Sequence, residues 1–195
     1  MSQQVKDFIK KYSADVIKSV QGTGIFPSIK MAQMIIESSG KDDKGIFRIG
    51  QGLAVRKANN YFGIKADKSW KGNKIALSTP KDGKPVNYFR VYVSVLDSLK
   101  DHSQFLIQNS RYKTNGVFTA KTPQEQALAL DKAKYSESPT YGKTLLGLIK
   151  AYQLEELDGK QTGNYTGLVI ATGLTLLVVG AFYFRQDIGN LFSKT

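Results

Sequence analysis

MAQMIIESSGK, residues 31–41, decides the fold: Met31, Met34, Ile35 and Ile36 make an apolar helical run that ends on a single carboxylate, Glu37, before Gly40 stops it. The helix is entered at Ser28 after Pro27, a residue suited to the first helical turn. A carboxyl at the C-terminal end of an apolar helix is disfavoured as an anion twice, by desolvation and by the partial negative charge of the helix end. Glu37 is therefore the candidate proton donor of the chain.

Upstream, Val5, Phe8, Ile9, Tyr12, Val16, Ile17 and Val20 share one face and predict an amphipathic helix over residues 3–20, closed by the turn QGTG at 21–24. This N-terminal stretch lacks the continuous apolar region of a signal peptide. Downstream, residues 41–52 are polar and Gly-rich and predict a surface loop, followed by a short helix near 53–58. Ile75–Thr79 and Val86–Val93 are strand-like around PKDGKP, where Asp82-Gly83 signals a tight turn, so a small β-hairpin is expected inside a helical domain. Ser94 with Asp97, and Thr122-Pro123 with Glu125, predict capped helices to about Gln108 and Ala133. Ser138-Pro139 predicts a last helix to about Leu157.

The 195 residues give room for one catalytic-size domain and a small appendage. There is no cysteine and one histidine, His102, which excludes disulfides and thiolate chemistry and argues against a histidine-rich zinc site. No metal or cofactor is expected. The net charge is +12, and because residues 159–195 hold only three Lys/Arg and one Asp, about +10 belongs to the front of the chain. Such a balance suits a polyanionic partner. No nucleic-acid motif accompanies it, so nucleic acid is not the expected partner.

Residues 165–184, YTGLVIATGLTLLVVGAFYF, form an uncharged run long enough to span a bilayer, with aromatic residues at both ends and Arg185 beyond. The expected partition is a domain at 1–157, a polar linker at 158–164, a transmembrane helix at 165–184 in contact with lipid, and a polar tail at 185–195. Gly167 and Ala171 make a small-xxx-small pair that would allow self-association of that helix.

Five segments in order resemble the family 73 glycoside hydrolases, bacterial and phage glucosaminidases of lysozyme-like fold. MAQMIIESSGK is similar to AQAxLESGWGK, NNYFGIKA (59–66) to NNLFGIKA, and Trp70-Lys71-Gly72 to WKG. FRVYVSVLDSLKDHSQFL (89–106) resembles FRxYxSxxDSxxDHxxFL, and AKYSESPTYGKTLLGLI (133–149) resembles GYATDPxYxxKLxxII. The resemblance runs from about Ser28 to Leu154. It implies a mainly α, lysozyme-like α+β domain with a small hairpin, here followed by one transmembrane helix.

By the same resemblance, Glu37 matches the family's general acid, and Tyr135 a tyrosine important for activity. Asn59, Asn60, Tyr61 and Phe62 match the segment lining the sugar groove. Trp70 is either a sugar platform or a packing residue, and His102 is structural. The substrate implied is the glycan strand of peptidoglycan, cleaved as by an endo-β-N-acetylglucosaminidase. Lytic transglycosylase or muramidase chemistry, or a wall-binding protein without activity, are the alternatives.

The chain departs from the family at the hairpin, where a second catalytic Glu is common and ALSTPKDGKP (76–85) has none. Asp82 is the nearest acid, with Asp42 and Asp43 as further candidates, and the substrate's own 2-acetamido group would serve if no second carboxylate acts. An anchored wall hydrolase without a cleavable leader is expected at a virion membrane or the bacterial inner membrane, hence a bacteriophage origin.

Overall fold

The structure is a computed structural model and describes residues 2–77 and 86–160. The run at 165–184, expected to cross a membrane, and Asp82 both lie outside the described residues. Among the described residues, no helix is long and apolar enough to cross a membrane.

The domain is mainly helical, with two small antiparallel strand pairs. Helix α1, Gln3–Val20, has the expected bounds and buries Val5, Phe8, Tyr12, Val16 and Val20, with Ile9 and Ile17 packed at the margin. Helix α2, Pro27–Glu37, is the axis of the fold: every residue from Pro27 to Ile36 is buried, because α1, α6 (Pro123–Lys132), α7 (Tyr141–Tyr152) and the terminal 3-10 segment Leu154–Lys160 surround it. A helix enclosed on all sides has no polar face to spare. This explains the apolar run at 31–36 and makes its buried exceptions, Lys30 and Gln33, conspicuous.

The loop expected at 41–52 contains a short ladder. Strands β1, Gly40–Lys41, and β2, Phe47–Arg48, pair antiparallel, closed by Asp42, whose carboxylate accepts from the Lys44 and Ile46 amides at 2.9 Å. Gly40 faces Gly52 so closely that a Cβ on Gly40 would sit 2.7 Å from the Gly52 Cα. The Gly52 amide donates to the Ser38 carbonyl at 2.8 Å, which pins this hairpin to the end of α2.

Helix α3, Leu53–Ala58, ends on Asn59 in the left-handed region (φ 50°). The predicted hairpin is present as β3, Lys74–Ala76, and β4, Tyr88–Arg90, shorter than the strand-like runs among the described residues. Ser94 and Asp97 form the reciprocal capping box of α4, Val95–Gln108. At α6 the device is half present: Thr122 accepts from the Glu125 amide at 3.1 Å, while the Glu125 carboxylate turns to the Lys121 amide at 2.7 Å. A short α5, Ser110–Thr114, was not anticipated and brings Tyr112 into the core.

The last helix also differs from expectation. It begins at Tyr141 and stops at Tyr152, because Gln153 turns left-handed (φ 54°). The turn lets Leu154 and Leu157 bury in the continuing 3-10 segment. Asp158, expected to open the linker, instead accepts from the Ser28 amide at 2.8 Å, placing a carboxylate on the N-terminus of α2.

Candidate active site

Glu37 is the last residue of α2 and is partly buried. Tyr141, the first residue of α7 and itself buried, donates its hydroxyl hydrogen to Glu37 Oε1 at 2.8 Å. Burial pushes the Glu37 carboxyl up from 4.5 to about 7, against the Tyr141 hydrogen bond, which favours the carboxylate. Glu37 thus holds a proton near neutrality in a residue that is not wholly enclosed, as a general acid requires.

Beside this pair lies a polar row, buried at Lys30 and His102 and half-buried at Tyr135. The rings of Tyr141 and Tyr135 stack with centroids 5.1 Å apart. The Tyr135 hydroxyl is 2.9 Å from His102 Nε2, and His102 Nδ1 is 2.7 Å from Lys30 Nζ. His102 stacks flat on Phe62 at 3.8 Å, and Lys30 Nζ also donates to the Leu99 carbonyl at 3.3 Å. Burial lowers both groups: Lys30 falls well below the usual lysine range, opposed by the Asp101 charge, and His102 falls below its own, helped by Lys30. Burial first, then the Glu37 charge, pushes the hydroxyls of Tyr135 and Tyr141 far up, so both remain donors.

The structure therefore brings Glu37 and Tyr135 together and adds Tyr141, which sequence reasoning passed over although it lies within the 133–149 match. Lys30 also carried a signal, a lysine two turns before Glu37 in a helix with no other basic residue.

The other expected site residues are placed differently. Asn59 donates its side-chain amide to the Tyr92 carbonyl at 3.1 Å. Asn60 is buried, donating to the Ile64 and Arg90 carbonyls, both at 2.9 Å, and accepting from the Ile64 amide at 3.0 Å. Its amide thereby ties the NNYFGIKA turn to β4. Tyr61 is buried with its hydroxyl 2.9 Å from that of Tyr12, and Phe62 is the floor under His102.

Trp70 is partly exposed. The Arg90 guanidinium lies 4.7 Å from its ring, and its indole N–H donates to the Asn73 carbonyl at 2.9 Å. Asp42 is committed to its own turn and to Arg48 at 2.8 Å, and backbone hydrogen bonds, the Ile46 amide foremost, hold its carboxyl below the usual range. Asp43 pairs with Arg56.

A family model described as mannosyl-glycoprotein endo-beta-N-acetylglucosaminidase matches residues 13–154, most of the chain. The chain belongs to the glucosaminidase family. It is 30% identical over 171 residues to the peptidoglycan hydrolase FlgJ of Salmonella typhimurium, covering 85% of this chain and 51% of FlgJ. To the exo-glucosaminidase LytG of Bacillus subtilis it is 30% identical over 142 residues, 69% of this chain and 46% of LytG. The chain thus spans about half the length of these relatives.

The solved glycoside hydrolase domain of Salmonella FlgJ superposes with a TM-score of 0.60 at 29% identity, covering 83% of this chain and 95% of that domain. The fold is that of a lysozyme-like glycoside hydrolase. Family membership covers α2 and α7, the two helices that meet at Glu37.

Proposed function

We propose that the chain is a peptidoglycan hydrolase that cleaves the glycan strand with Glu37 as general acid. The observation that carries this reading is the Glu37 carboxyl, pushed to about 7 at a helix end and oriented by Tyr141. Glu37 gives its proton to the glycosidic oxygen as that bond breaks, and water completes the hydrolysis. Tyr135 faces the same reaction centre with a hydroxyl that stays protonated. The +12 charge favours approach to an anionic wall polymer.

The bond assigned is the one following N-acetylglucosamine, cut within the strand. With Asp42 and Asp43 tied to Arg48 and Arg56, the substrate's 2-acetamido group is the favoured partner for Glu37. Residues 165–184, by their length and lack of charge, serve as a membrane anchor that keeps the domain at the wall face of a membrane.

Product analysis tests the reaction. Purified peptidoglycan digested by the full chain should yield fragments with reducing-end N-acetylglucosamine. A 1,6-anhydromuramic end, or a reducing muramic acid, would overturn the bond assignment. Glu37→Gln should lose about 10²–10⁴-fold in rate while melting at an unchanged or higher temperature. Equal digestion by both proteins would remove Glu37 from catalysis.

A further inference from the structure

Lys30 is a lysine with no exposed surface, enclosed in the central helix. Three acceptors surround its Nζ: the Leu99 carbonyl at 3.3 Å, His102 Nδ1 at 2.7 Å and the face of Phe62, whose centroid is 5.2 Å away. Three acceptors match the three N–H groups of the ammonium form, which the Asp101 charge favours and which has no lone pair to offer.

The direction of the remaining bonds follows. If Lys30 donates to Nδ1, that nitrogen carries no hydrogen, and a neutral imidazole must then carry its hydrogen on Nε2. Nε2–H donates to the Tyr135 oxygen 2.9 Å away, occupying a lone pair there and leaving the Tyr135 hydrogen to point elsewhere. Phe62, stacked flat on the imidazole at 3°, and the edge-on contact of His102 with Tyr135 at 88° hold the ring plane in which Nδ1 meets Lys30 and Nε2 meets Tyr135. The packing of His102 is thus part of the same device.

We propose that Lys30 and His102 are positioning residues that form a one-way hydrogen-bond chain, Lys30 to His102 to Tyr135, and thereby turn the Tyr135 hydroxyl hydrogen away from the imidazole and toward the Tyr141–Glu37 pair at which the sugar is cleaved. Neither Lys30 nor His102 touches substrate. They fix which way one hydroxyl hydrogen points, so that no reorientation is needed when charge develops on the sugar. The inference rests on the reading of Tyr135 as part of the reaction centre, but its first test does not depend on activity.

His102 is the only histidine in the chain, so nitrogen-15 labelling of histidine gives one imidazole spectrum, provided the full chain is purified without a histidine tag. At neutral pH the wild type should show a neutral ring with its hydrogen on Nε2. A hydrogen on Nδ1 reverses the chain and overturns the proposal. Lys30→Met removes the donor and should allow hydrogen onto Nδ1. It should also lower kcat about tenfold with KM unchanged, the effect of one misdirected hydrogen bond.

Tyr135→Phe should lose at least as much, and the double variant no more than Tyr135→Phe alone, because the chain then ends on nothing. Wild-type kcat and an unchanged tautomer in Lys30→Met would also overturn the proposal. Should Lys30→Met fail to fold, the wild-type tautomer still decides. Full activity in Tyr135→Phe with the Nε2 tautomer present would refute the role of Tyr135 in the reaction while leaving the Lys30–His102 bond direction intact.

Discussion

The Tyr141 hydroxyl donates to Glu37 Oε1 across 2.8 Å and 104 positions of sequence, joining the last residue of α2 to the first of α7. That bond opposes burial in setting when Glu37 releases its proton. A helix end and a helix start are held together here by the packing of α7 along α2.

Tyr141→Phe keeps the ring and deletes the bond. Burial then acts on Glu37 with less opposition, so the carboxyl rises further above about 7. The alkaline fall in kcat/KM, which in the free enzyme reports the acid that must stay protonated, should therefore move to higher pH. A limb that stays in place or moves down would show that Tyr141 does not tune Glu37.

Glu37 also links stability to pH. Its folded value is raised, so below about 4.5 the carboxyl is protonated in both states and imposes no penalty. As pH rises from about 4.5 to about 7 the unfolded chain ionises first and native stability drains away. Above that range the loss is complete, about 3 kcal/mol at most. Urea unfolding of wild type and Glu37→Gln should therefore diverge across this window in favour of the variant. A constant difference would show that Glu37 is not shifted.

Asn60→Ala leaves the Ile64 amide and the Ile64 and Arg90 carbonyls without their side-chain partner in a buried turn. The expected cost is about 2–4 kcal/mol in denaturant unfolding, with KM unchanged for the folded protein. A raised KM at wild-type stability would instead put this amide in the sugar groove.

Gly142 follows Tyr141, and its amide donates to Asp131 Oδ1 at 2.7 Å. A Cβ there would collide with the Asp131 carboxylate and come within 2.9 Å of the Ala127 carbonyl. Gly142→Ala should separate α7 from α6, cost about 1–3 kcal/mol and lower activity by displacing Tyr141. Wild-type melting would mean that the helix ends can slide apart freely.

Much of this was legible because local chemistry carried it. The α1 face, Pro27 opening α2, the Ser94–Asp97 box and the strand-like runs from Ile75 and from Val86 are short-range patterns, and the described elements agree with them. The short α5 escaped because SRYKT has too few residues to show a period. The end of α7 escaped because Gln153 adopts a left-handed conformation that an ordinary glutamine does not announce.

The site divides along the same line. By itself the sequence determined that one carboxylate closes an apolar helix, that five segments match a sugar-hydrolase family in order, and which residues could donate a proton. Only the tertiary structure decided that Asn60 spends its amide on backbone groups and that Tyr141 meets Glu37. It alone decided that Lys30, His102 and Tyr135 form one row. The physical reason is that helical periodicity says which face is buried, but polar atoms from α2, α4 and α7 find partners only when those helices pack together, and the cost of burying them unpaired then fixes their contacts.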